Sequence, residues 1–106
     1  MTDLTPRITL DMEKIEVFCK KWKIVEFSLF GSVLTNDFRP DSDVDVMVKF
    51  APEANVGLFE MVDVEDELAA IIGRNVDIVT RPAVERSENY IMRRSILSGT
   101  RTFYAT

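Results

Sequence analysis

Apolar positions recur at helical spacing between residues 9 and 22. Met12, Ile15, Phe18, Cys19 and Trp22 share one face, with Glu13, Lys14, Lys20 and Lys21 on the other. The pattern then changes to strand composition over residues 24–30, where Val25, Phe27 and Leu29 alternate onto one side until Gly31 stops the run. Residues 32–38 can open a short helix, and Arg39-Pro40-Asp41-Ser42 reads as a turn. A second strand is predicted over 43–50, with Val44, Val46, Val48 and Phe50 on one face. Leu58, Met61, Val62, Leu68, Ile71 and Ile72 mark a second helix over 57–72, which Gly73 is placed to cap. Val76 to Thr80 is a third strand ended by Pro82, residues 85–97 return to helix closed by Gly99, and Arg101 to Tyr104 form a last short strand. Helices alternating with short strands predict a small sheet with helices packed on it.

The length of 106 residues fits one small domain over 1–106, and 46% hydrophobic with 29% charged residues describes a chain that folds. A net charge of −5 argues against a protein that coats DNA or a membrane surface. That charge is uneven. Residues 1–80 hold 8 Lys/Arg against 16 Asp/Glu, a net of −8, while residues 81–106 hold five Arg against two Glu, a net of +3. The basic end reads as a solvated helix face or as a surface for an anionic group or acidic partner. The lone Cys19 forbids an internal disulfide and, on an apolar stripe, reads as core filler. The absence of histidine removes Cys/His zinc sites and Ser-His-Asp machinery. Residues 1–10 lack the basic start and apolar run of an export signal, and no stretch is long and apolar enough for a membrane helix, so the expected compartment is the cytoplasm.

Chemistry is left to carboxylates, hydroxyls, arginines and a borrowed cofactor. Asp43 and Asp45, two apart in the second strand, point to the same side while the valines face the other, and Asp77 interrupts the apolar third strand. If the strands are neighbours, the three converge. Like charges that close raise one another's pKa unless a cation neutralises them, and a hard divalent ion such as Mg²⁺ suits oxygen ligands. An Asp-x-Asp pair in an acidic chain also reads as a solvated strand edge. Upstream, Gly31 lets the backbone approach a phosphate, and the Ser32 hydroxyl can donate to it. Alone, Gly-Ser is equally an ordinary turn and helix cap.

Together, Gly31-Ser32, ten intervening residues and Asp43-Val44-Asp45 resemble the G-S-x10-D-x-D signature of the DNA polymerase beta-like nucleotidyltransferases. The wording from Leu29 to Leu34 and from Pro40 to Val48 is similar to that of the minimal nucleotidyltransferases, or MNT proteins. The likeness extends to residues 75–79, which resemble the family's third-aspartate strand, and to residues 88–97. The resemblance implies an α+β fold with α/β-type alternation, a small mixed β-sheet packed with helices around a polymerase beta-like nucleotidyltransferase core. It implies that Gly31 and Ser32 hold the triphosphate of ATP. Asp43, Asp45 and Asp77 are the implied catalytic and metal-binding set for two Mg²⁺ ions, with Asp77 helping to deprotonate the acceptor hydroxyl. One departure is visible: many relatives carry an arginine shortly after Gly-Ser, whereas Val33 to Asp37 has none. Either the triphosphate is gripped more weakly, or Arg39 or a C-terminal arginine substitutes.

MNT proteins are partners of HEPN ribonuclease toxins, so the resemblance implies an antitoxin that attaches AMP to a toxin tyrosine. Tyr90, Ile91, Phe103 and Tyr104 are candidate contact residues that read equally as core, and Tyr90 or Tyr104 could be a self-modification site. Two alternatives stand beside this expectation. One is a noncatalytic antitoxin that masks its partner, against which an intact aspartate set argues. The other is a nucleotidyltransferase for a small molecule such as an aminoglycoside, against which the lack of room for a walled acceptor pocket argues. No membrane contact and no direct nucleic-acid contact are expected, since no extended basic groove is visible; self-association is left open.

Overall fold

Asp11 starts the first helix, α1 (Met12–Trp22): its Oδ1 accepts from the Lys14 amide at 3.3 Å, and Ile15, Phe18 and Cys19 turn inward. The helix ends at Lys23, whose left-handed φ of 58° lets its amide reach the Cys19 and Lys20 carbonyls. The chain then enters β1 (Ile24–Phe30), a short 3₁₀ turn (Gly31–Leu34) and β2 (Val44–Phe50). A crossover helix, α2 (Leu58–Ile72), leads to β3 (Val76–Thr80), a single helical turn α3 (Arg81–Glu85) and β4 (Arg101–Ala105). The computed structural model describes residues 8–35, 38–89, 91, 93, 94, 96 and 99–106.

The four strands form one mixed sheet in the order β3-β2-β1-β4. β1 is antiparallel to both β2 and β4, whereas β2 and β3 run parallel, as the α2 crossover requires. The expected α+β architecture with a small mixed sheet is therefore what the chain adopts. Phe27, Leu29, Val44, Val46 and Val48 leave one face of the sheet and meet Ile15, Phe18, Val64 and Leu68 in a single core. Among the described residues no helix is long and apolar enough to cross a membrane.

Three expectations shift. Ile24 rather than Val25 is buried at the start of β1, because a register irregularity between Ile24 and Glu26 turns the strand by one position there. Leu58 and Val62, read as part of an apolar helix face, are 89% and 57% exposed; α2 enters the core through Val64 and Leu68. The helix predicted over 85–97 is interrupted. Pro82 sits at the N-terminal start of α3 rather than merely ending β3, and Arg81 bridges Glu85 one turn on (3.2 Å). Residues 91, 93, 94 and 96 are helical again. Residues 1–7, with most of the segment read for an export signal, lie outside the described residues, as does Tyr90.

Candidate active site

The period of two that buries the valines of β2 turns Asp45 and Met47 to the opposite face of the sheet. Strand register aligns what meets there. Asp45 is paired with Phe30 of β1 on one side and with Asp77 of β3 on the other. Three side chains from three strands thus form a row, and the two carboxylates stand at the same level on adjacent strands. The next row on this face, Ser28, Met47 and Val79, is largely buried, and Ser28 Oγ shares a hydrogen bond of 3.1 Å with Thr102 Oγ1.

Gly31 closes the end of the Phe30–Asp45 row. Its φ is +78°, a conformation costly for any residue with a side chain. A Cβ there would fall on Asp45 Oδ2 and lie 3.3 Å from Asp45 Cγ. The Asp45 carboxylate therefore lies against the glycine backbone, in space that any other residue would fill. Partial burial, together with the charges of Asp77 and Asp43, pushes the Asp45 carboxyl above its ordinary pKa. The site stores electrostatic repulsion that a bound cation would relieve.

Asp45, Asp77, Gly31 and Phe30 line a cavity of about 610 Å³, faced by Val79, Val84 and Ile96, with Ser87 at its edge. Two carboxylates and a glycine thus open into a largely apolar chamber. Asp43 is placed differently. It is exposed, one residue before β2, and opens with Ser42, Arg74 and Asn75 onto a second cavity of about 550 Å³. Its charge still acts on Asp45. Ser32 is half-buried in the 3₁₀ turn, outside the first cavity's lining, and its carbonyl accepts from Thr35 Oγ1 at 3.0 Å.

Among the described residues, no three acidic or thiol side chains are gathered closely enough to enclose a metal ion. The donors nonetheless suit Mg²⁺, which is commonly held by one or two carboxylates completed by substrate phosphates rather than by an all-protein cage. Of the expected contact residues, Ile91 is 79% exposed, whereas Phe103 and Tyr104 pack against the core. Sequence reasoning missed Arg74, Val84 and Ile96. Arg74 reads locally as one more cation after a helix cap, and the other two reach the site only through tertiary packing.

The model of the nucleotidyltransferase domain family matches residues 12–99. Among curated proteins, the chain is 30% identical over 66 residues to the protein adenylyltransferase MntA of Thermococcus cleftensis, covering 62% of this chain and 65% of that one. The match spans just under two thirds of that relative's length. Among solved structures, a candidate minimal nucleotidyltransferase is 28% identical with a TM-score of 0.63, over 84% of this chain and 85% of that one. A chain of a toxin–antitoxin complex solved with AMP-PNP superposes with a TM-score of 0.68 at 19% identity, over 92% of this chain and 75% of that one, a likeness of fold.

Proposed function

Since the chain belongs to the nucleotidyltransferase domain family, and to its minimal members, we propose that it transfers AMP from ATP to a tyrosine hydroxyl of a HEPN-type ribonuclease toxin and so acts as its antitoxin. The observation that carries this reading is the row of Asp45 and Asp77 on adjacent strands, closed by a glycine that leaves room for the carboxylate and opening into a largely apolar cavity. The choice of acceptor is supported by the adenylyltransferase relative and by the toxin–antitoxin neighbours in fold.

In this reading the exposed backbone at Gly31 and the Ser32 hydroxyl hold the triphosphate against the sheet end. Asp43, Asp45 and Asp77 hold Mg²⁺, which when bound supplies charge neutralisation for the attacking oxygen and the pyrophosphate. The acceptor ring enters the apolar side of the cavity, beside Phe30, Val79, Val84 and Ile96. Its hydroxyl oxygen attacks the α-phosphorus, the bond to the bridging oxygen breaks, and pyrophosphate leaves. Asp77, exposed on β3 beside Asp45, accepts the hydroxyl proton. Positioning and charge stabilisation are most of what such a transfer asks of a protein.

The test is intact mass of a mixture of this protein, ATP, Mg²⁺ and the product of the neighbouring reading frame, beside an Asp43→Asn/Asp45→Asn double variant. Mass steps of one AMP unit on the partner, absent with the variant, are expected. A stable complex without a mass change would instead make the protein a masking antitoxin. Neither complex nor modification would direct the search to small-molecule acceptors.

A further inference from the structure

Arg74 stands just beyond the Gly73 cap of α2, yet its side chain is committed to a distant loop. Its Nη1 donates to two consecutive carbonyl oxygens, those of Arg39 (3.2 Å) and Pro40 (2.9 Å). Its guanidinium lies over the Phe38 ring, 4.6 Å from the centroid. The loop is also closed on itself: the Arg39 amide donates to Ser42 Oγ and the Ser42 amide to the Arg39 carbonyl, both at 3.0 Å. One residue after Arg74, the Asn75 carbonyl accepts from the Val44 amide at 3.0 Å. The α2–β3 corner therefore grips the loop on both sides of Asp43.

We infer that Arg74 is a positioning residue for Asp43, clamping the 38–42 turn to the α2–β3 corner and so fixing that carboxylate relative to Asp77. Asp45 needs no such device, because the pleat of β2 and its neighbours on two strands orient it. Asp43 has neither. It is exposed and lies outside the ladder, so its direction is set by the loop that carries it. Arginine suits the task because a planar guanidinium can bridge adjacent carbonyls while lying flat on an aromatic ring. An ammonium, a point charge on a flexible stem, does neither well. The inference rests on the reading of Asp43 as a metal ligand given above. Supporting groups of this kind commonly alter metal affinity by about 10- to 100-fold when removed.

Three measurements on the whole chain test it, comparing wild type with R74A, R74K, D43N and R74A/D43N. Hydrogen exchange at the Ser42 and Val44 amides reads the clamp. Mn²⁺ uptake, followed by electron paramagnetic resonance with a non-hydrolysable ATP analogue present, reads the metal site. Nucleotide affinity at saturating Mn²⁺ reads direct contact with the ligand. R74A is expected to speed exchange at both amides and raise the half-saturating Mn²⁺ concentration about tenfold, with R74K between it and wild type. Nucleotide affinity at saturating metal is expected to stay unchanged, and R74A is expected to add nothing in the D43N background. Unchanged exchange overturns the clamp. Faster exchange with an unchanged Mn²⁺ midpoint, or an equal further loss in D43N, reduces Arg74 to a loop staple and overturns the positioning role. Weaker nucleotide binding at saturating metal makes Arg74 a ligand contact instead. Wild-type protein that takes up no Mn²⁺ refutes the metal reading of Asp43 and the positioning role with it, while the exchange data still decide the clamp on their own.

Discussion

Replacing Gly31 by alanine should separate two costs that one glycine hides. The first is conformational. Gly31 and Gly73 share nearly the same positive φ, +78° and +81°, where an alanine costs roughly 1–2 kcal/mol, partly offset by about 0.4–1 kcal/mol from the stiffer unfolded chain. Among the described residues nothing lies within 4 Å of the would-be Cβ of Gly73, so Gly73→Ala reports that backbone cost alone, about 1 kcal/mol. The second cost is steric and exists only at Gly31, where the new methyl group falls on Asp45 Oδ2. Forcing Asp45 out of its rotamer adds about 0.5–1.5 kcal/mol, which brings Gly31→Ala to about 2 kcal/mol. At about 4–8 °C per kcal/mol for a domain near this size, the melting temperature should fall about twice as far for Gly31→Ala as for Gly73→Ala. The decisive assay is a double-mutant cycle by thermal and urea unfolding: in an Asp45→Ala background the Gly31→Ala penalty should shrink to that of Gly73→Ala, a coupling of about 1 kcal/mol. Equal penalties at the two glycines, or a Gly31→Ala penalty unchanged by Asp45→Ala, would refute the contact on which the site's description rests.

Other expectations follow from burial and charge. Because burial and then the charges of Asp77 and Asp43 hold the Asp45 carboxyl above its unfolded value of 3.8, its ionised form opposes folding; the cost is absent below that value and complete once pH exceeds the raised one. Asp45→Asn should therefore raise the melting temperature of the metal-free protein near neutrality, with a gain that disappears in acid; a gain independent of pH between about 3 and 7 would contradict this sign. The Cys19 thiol, pushed up to about 12 by burial, should resist thiol reagents at about pH 8 until the chain unfolds, so that labelling tracks global stability in urea. Phe27→Ala empties a fully buried position and should cost about 3–5 kcal/mol in urea denaturation, whereas Phe59→Ala, at a position 89% exposed, should change stability by less than about 0.5 kcal/mol.

The strands were legible because their signals are local. The runs 24–30 and 76–80 alternate or bury strongly and meet Gly31 or Pro82 at their ends, and the observed bounds of β1 and β3 coincide with those predicted. Asp45 was legible for the same reason: a period of two separates it from the valines without knowledge of the fold. Asp43, read as its partner in the same strand, instead lies one residue before β2 and faces a different cavity. Periodicity says which residues share a helix face, however, and not how far along the helix its neighbours extend. Leu58 shares the apolar repeat of α2 but lies on a first turn that no described residue covers. Pro82 illustrates a different ambiguity, since a proline that ends a strand also suits the first turn of a helix. Arg74 was invisible because its role depends on carbonyl groups 34 and 35 residues away.

Core and site are two readings of one register. Val44, Val46 and Val48 face the helices because β2 pairs with β1 and β3 as it does, and that same pairing brings Asp45 beside Asp77 and Phe30. Slipping β2 by one residue would turn its valines outward and drive Asp45 into the apolar core, where an unpaired carboxylate is far more costly than at the sheet's open end. The repulsion between two carboxylates at one level is thus held in place by burial on the opposite face, with no dedicated ion pair on Asp45 or Asp77 among the described salt bridges. Asp43 lies one residue outside that enforcement. It is the member of the set whose placement the core does not dictate, and the position where a clamp such as Arg74 has an effect to exert.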